Sequence, residues 1–96
     1  MKCTIDAISL ADRAAAHQTL KDALAFPEWY GRNLDALYDL LCAMQAEITV
    51  TNVAALRDNP GSYGEKILAA MLEAAGKNPD LKVVVEGETR NFIHLK

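Results

Sequence analysis

The chain has 96 residues, a formal net charge of −3 and a pI near 5.2, with 51% apolar and 24% charged residues. That length suits one domain around one core, and the apolar share excludes a disordered chain. Ten scattered Lys and Arg against thirteen Asp and Glu argue against nucleic acid as the direct ligand, because phosphate binding needs clustered cations. The acidic balance favours a basic protein partner instead.

Residues 2–8, KCTIDAI, alternate apolar and polar, which predicts a first strand. Asp12 is a candidate N-cap for a helix over 13–25, whose apolar stripe is Ala16, Leu20, Ala23 and Leu24. Phe26-Pro27 ends it, since the residue before proline avoids helical geometry. Gly31 marks a tight turn, and Asn33 caps a second helix over 34–44. At 100° per residue, Leu34, Leu37, Leu41 and Met44 share one face with Leu40 on its flank, so Asp35, Asp39 and Cys42 project from the other side.

Glu47 to Thr51 reads as a second strand, and 52–56 as a short helical turn. After the Asn59-Pro60-Gly61 loop, Ser62 caps a third long helix over 63–75. Its expected buried stripe is Ile67, Leu68, Met71, Leu72 and Ala75, with Glu73 well away from it. Gly76 is expected to stop that helix. Asn78-Pro79-Asp80 then turns the chain into LKVVVE, whose continuous valines predict a strand buried on both faces. The tail, RNFIHLK, is a candidate added strand. This order predicts an α/β fold: a small three-stranded parallel sheet packed with three to four helices, as one domain over 1–96, with 87–96 an added strand or an extension.

No stretch approaches the roughly 18 apolar residues of a membrane span. The start, MKCTIDAISLADR, lacks a signal peptide's unbroken apolar core, so a cytoplasmic protein is expected. In that compartment a disulfide between Cys3 and Cys42 is disfavoured, and two cysteines so far apart are too few for a zinc site. There is no paired histidine ligand, nucleophile–base pair or glycine-rich phosphate loop, so no metal, cofactor or enzymatic activity is expected.

The stretch FPEWYGRNLDALYDLL, residues 26–41, sets an aromatic turn directly before a helix carrying Asp35 and Asp39 one turn apart. Such a like-charged pair is unfavourable on an isolated helix by a few tenths of a kcal/mol. Asp35 gains from the helix N-terminus, whereas Asp39 in mid-helix does not. Taken alone, the pair reads as a solvated face and Glu73 as a solvated charge. Trp29 is expected to face outward and Tyr30 inward. Gly31 reads first as a backbone requirement, Asn33 first as a cap, and His17 as packing or a surface hydrogen bond.

The block HQTLKDALAFPEWYGRNLDALYDLL, residues 17–41, resembles without a gap the corresponding segment of the barstar family of intracellular ribonuclease inhibitors, with YG-x-NLDAL as its specific core. A weaker resemblance continues through LEAA and NPDLKVVV, covering about 2–86, while 52–64 is not readily matched. The resemblance implies a small α/β protein that plugs a ribonuclease active site. Asp39 then takes the place of an RNA phosphate, Asp35 meets a basic or polar group at the rim, and Trp29 stacks on a catalytic histidine. Gly31, Asn33 and Tyr38 fall at the contact surface, and Glu73 is a peripheral acidic contact. Cys42 follows the acidic pair along the same helix face, which puts it at the edge of such a surface. The implied partner is a basic microbial ribonuclease, bound one-to-one by a protein that is monomeric when free. The alternative reading is an acidic interaction module or immunity protein for another basic partner, for which Met44, Gln45 and 52–64 leave room.

Overall fold

The structure, a computed structural model, describes residues 1–57 and 61–86. Three strands, β1 (Lys2–Asp6), β2 (Ala46–Thr51) and β3 (Leu81–Val85), form a parallel sheet in the order β1-β2-β3. The register aligns Thr4 with Thr49 and Thr49 with Val84. A 3-10 turn over Ala7–Leu10, then helices α1 (Arg13–Leu24) and α2 (Leu34–Ala43), connect β1 to β2. Helices α3 (Ala54–Arg57) and α4 (Tyr63–Lys77) connect β2 to β3. The expected three-stranded α/β architecture is therefore present. The candidate strand in the tail lies outside the described residues.

Capping sets where the long helices start. The side chains of Asp12, Asn33 and Ser62 accept from the backbone N–H groups of Ala15, Ala36 and Glu65, so each satisfies a donor that a helix N-terminus leaves orphaned. Alternation in β2 buries Ala46, Ile48 and Val50 and leaves Glu47, Thr49 and Thr51 partly covered. The core joins Ile48 and Val50 to Ile5, Leu20, Leu37, Leu41, Ile67 and Met71.

Three expectations need correction. The valines of β3 are only half-buried, because β3 lies at one side of β2 rather than between two strands of the described sheet. Leu72 is 46% exposed, and the buried face of α4 is Gly64, Ile67, Leu68, Met71 and Ala74. Leu72 sits roughly 100° around the helix from the centre of that face. Gly76 does not stop α4, which runs through Lys77 to a C-cap at Asn78.

The two glycines of α4 have opposite surroundings. A Cβ at Gly64 would come within 2.5 Å of Leu56 Cδ2 and 3.0 Å of the Leu10 carbonyl oxygen. A Cβ at Gly76 would meet nothing within 4 Å. Gly76→Ala is expected to stabilise the fold by about 0.5–1 kcal/mol through helix propensity. Gly64→Ala should instead destabilise it by about 1–2 kcal/mol, because overpacking outweighs the same propensity gain. Urea unfolding of both variants checks this, and two shifts of the same sign would refute it.

Candidate functional site

The aromatic turn begins where α1 ends. Ala25 adopts a left-handed conformation at the C-cap (φ 56°), and its N–H donates to the Lys21 carbonyl. Phe26 then packs into the core, and the Tyr30 N–H closes a turn by donating to the Pro27 carbonyl at 3.0 Å. As expected, the two adjacent rings part company: Trp29 is 76% exposed and Tyr30 is 4% exposed. An ion pair from Lys21 Nζ to Glu28 Oε2, 3.1 Å, ties the turn back to α1.

The structure moves the backbone requirement from Gly31 to its neighbour. Arg32, not Gly31, has the left-handed backbone, with φ 56°. At Gly31 space is tight: a Cβ there would lie 3.3 Å from both Ala36 Cβ and Asn33 Nδ2, so those side chains would have to give by a few tenths of an ångström. With glycine there, Asn33 Nδ2 donates to the Gly31 carbonyl at 3.3 Å while Asn33 Oδ1 accepts from the Ala36 N–H at 2.7 Å. Asn33 therefore both starts α2 and fixes the end of the turn.

On α2, Leu37 and Leu41 are wholly buried, while Asp35 and Asp39 are exposed. Asp35 lies in the first turn, where the helix dipole favours an anion. Tyr38 and Cys42 are half-buried against the core, so Cys42 does not project freely as the helical wheel suggested. The Tyr38 phenol is held above its ordinary value mainly by its hydrogen bond with Cys42, then by burial and by the nearby charges of Cys42, Glu73 and Asp39.

A groove of about 480 Å³ runs between α2 and α4, lined by Leu34, Asp35 and Tyr38 on one side and Lys66, Ala70 and Glu73 on the other. It brings Asp35, Tyr38 and Glu73 together. Asp39 and Cys42 lie outside its lining, further along α2, and so do Trp29, Gly31 and Asn33 in the turn. A second groove, lined by Arg13, Asn33, Leu34, Asp35 and Tyr63, links the cap of α2 to the start of α4. The α2–α4 groove thus pairs the helix-mounted carboxylates of Asp35 and Glu73, while Asp39 on α2 and the Trp29 indole in the turn are exposed outside it. Carboxylates held this way can accept charge-assisted bonds, including bidentate bonds from arginine, without reorganising. Among the described residues no group of three or more His, Cys, Asp or Glu side chains is placed to hold a metal.

Sequence reasoning missed two residues here. Lys66 and Arg13 bring positive charge to the two grooves, and no helical period marks an exposed cation as a groove wall. Of the two readings given to His17, packing holds and a surface hydrogen bond does not. His17 is 1% exposed, with Nδ1 2.6 Å from the Tyr30 hydroxyl and Nε2 2.6 Å from the Tyr63 hydroxyl. Its place on the buried stripe of α1 was readable from Ala16 and Leu20, but its tyrosine partners, 13 and 46 residues away, were not.

Burial first, then the guanidinium groups of Arg13 and Arg32, hold the His17 imidazole below its ordinary 6.5. The groups around it are Asp12 and Arg13 at the start of α1, Arg32 and Tyr30 in the turn, and Tyr63 on α4. A protonated ring can still donate to both phenols, so the buried charge is what costs. Between the folded value and 6.5 the unfolded chain binds more protons, and stability therefore rises with pH. The contribution is complete above about 6.5 and is lost as pH falls through the folded value. The stability advantage of the native chain over His17→Gln should accordingly shrink on acidification, as measured by urea unfolding at stepped pH. An advantage that grows would contradict this environment.

Comparison with known proteins adds to this geometry. The sequence model described as "Barstar (barnase inhibitor)" matches residues 1–87, a span that includes 52–64. The chain is also 34% identical over 89 residues to the Bacillus subtilis (strain 168) protein named "Putative ribonuclease inhibitor YrdF", covering 88% of this chain and 98% of that protein.

Proposed function

This chain belongs to the barstar family, and from that membership we propose that it inhibits a basic ribonuclease of the extracellular type by covering its active site. The acidic face of α2 and the aromatic turn before it form the blocking surface. The observation that carries this reading is the division of α2: Leu37 and Leu41 wholly buried, Asp35 and Asp39 exposed one turn apart. A rigid helix so anchored offers two fixed anions to a cleft built to hold phosphate. Complementary charge also speeds encounter at low salt.

In this reading Asp39 stands where an RNA phosphate would sit, Asp35 meets a group at the rim, and Trp29 stacks on a ring of the nuclease. Tyr38 and Glu73 extend the contact across the α2–α4 groove, while Gly31 and Asn33 shape the approach and Cys42 lies at its edge. The complex is one-to-one, the free inhibitor is a monomer, and the protein acts in the cytoplasm without catalysis. Titrating RNA cleavage by barnase, the nuclease in the family's description, and by any nuclease encoded beside this gene, tests it. Stoichiometric loss of cleavage is expected. Full cleavage with every one of these nucleases, together with capture of a basic protein that is not a nuclease, would instead favour an acidic module for another partner.

A further inference from the structure

His17 links three segments that the proposed contact surface needs in register. One nitrogen reaches Tyr30, which sits between Trp29 and Gly31 in the turn, and the other reaches Tyr63, the first residue of α4. A neutral imidazole has one N–H, so it donates to one phenol and accepts from the other. Both hydroxyl groups are thereby fixed by a single ring. The rings also pack together, with centroids 5.6 Å apart for His17–Tyr30 and 5.5 Å apart for His17–Tyr63.

Core filling alone does not call for this arrangement. Apolar side chains of similar size would fill the space without leaving buried polar atoms to satisfy. What the polar bridge adds is direction, because its hydrogen bonds hold only in one relative placement of α1, the turn and α4. Trp29 is exposed, so its place depends on what holds the adjacent backbone. Those restraints include the exposed Lys21–Glu28 ion pair, the Tyr30–Pro27 turn bond, the packing of Phe26 on Tyr30 at 4.8 Å, and the bridge, of which the bridge alone reaches α4.

We propose that His17 is a positioning residue for partner binding: through Tyr30 it pre-sets the turn that presents Trp29, and through Tyr63 it holds that turn in register with α4, which carries Glu73. The proposal rests on the inhibitor reading for its consequence, but the restraint itself belongs to the free protein. A turn already held loses less freedom on docking, so the bridge favours tight binding by preorganisation. Its loss should appear mainly in the rate of dissociation.

Trp29 is the sole tryptophan, which makes the turn directly observable in the free protein. The variants are Tyr30→Phe and Tyr63→Phe, which each delete one oxygen and keep the ring, and His17→Gln. Measurements are made well below each variant's unfolding temperature. Tyr30→Phe is expected to lower the fluorescence anisotropy of Trp29 and to speed amide exchange at positions 30–32 about tenfold, with the amides of α1 unchanged. Affinity for barnase should fall about tenfold, and adding His17→Gln to Tyr30→Phe should cost little more. If His17→Gln does not fold, the two phenylalanine variants carry the test. Variants that lose thermal stability but keep native anisotropy, exchange and affinity would make the bridge purely structural and overturn the proposal. Should barnase not bind the native chain, the inhibitor reading suffers, while anisotropy and exchange in the free protein still decide whether the bridge restrains the turn.

Discussion

Replacing Asp39 with alanine is expected to weaken ribonuclease binding by at least about 2 kcal/mol, the general threshold for an interface hot spot, of which a complex of this family is itself a standard illustration. That is roughly a 30-fold rise in Kd. Asp39 is exposed on a helix fixed by wholly buried Leu37 and Leu41, so its carboxylate arrives in place without ordering the backbone. Opposite a phosphate-binding cleft it would be desolvated against cations, where deleting one partner leaves the others unpaired. Asp39→Asn keeps the shape and removes the charge, so it should lose nearly as much, and the difference from native should narrow as salt rises.

The same substitution should leave the free protein intact or slightly more stable, because it relieves the like-charge pairing with Asp35 one turn away. Calorimetric titration with an inhibited nuclease, alongside thermal unfolding of the free variant, separates the two effects. Native affinity in Asp39→Ala would remove the acidic face of α2 from the centre of the interface.

Elements with strong local signals were legible in the sequence. Asn33 followed by leucines at helical spacing gave α2 to within a residue of its end, and the assignment of Trp29 outward and Tyr30 inward holds. What escaped depends on packing between segments far apart in the chain. The valines of β3 looked doubly buried because sequence order does not show which strand lies at the centre. Gly76 looked like a stop because glycine usually follows a helix end, yet here Asn78 ends α4. At the site, the glycine of the aromatic turn drew the backbone argument to itself, while the left-handed residue is Arg32. The residues matched through the family resemblance include Asp35, Tyr38 and Glu73, which the α2–α4 groove brings together. The bridge beneath the turn was invisible because His17 and Tyr63 lie 46 residues apart.

Asn78 shows how much one such distant contact can decide. The sequence marks it as part of a turn before proline, and the structure buries it as a link between α2, α4 and β3. Its Nδ2 donates to the carbonyl oxygens of Leu41 at 3.0 Å and Met44 at 2.8 Å, two acceptors at the end of α2. Its Oδ1 accepts from the Asp80 N–H at 3.0 Å, and its own N–H donates to the Ala74 carbonyl at 2.8 Å. Asn78→Ala keeps the last of these and loses the other three. With two carbonyl groups left short of a donor beside the core, the expected loss of stability is about 3 kcal/mol. Asn78→Asp should fare no better at neutral pH, because a carboxylate accepts from Asp80 but cannot donate to α2. Since the bond lies at the far end of α2 from the aromatic turn, whatever protein remains folded should still bind a nuclease through Asp35 and Asp39. Urea unfolding measures the first effect, and titration of the folded fraction measures the second. A loss under about 1 kcal/mol would mean that water replaces the amide at these carbonyl groups, and that α2 is held by its leucines alone.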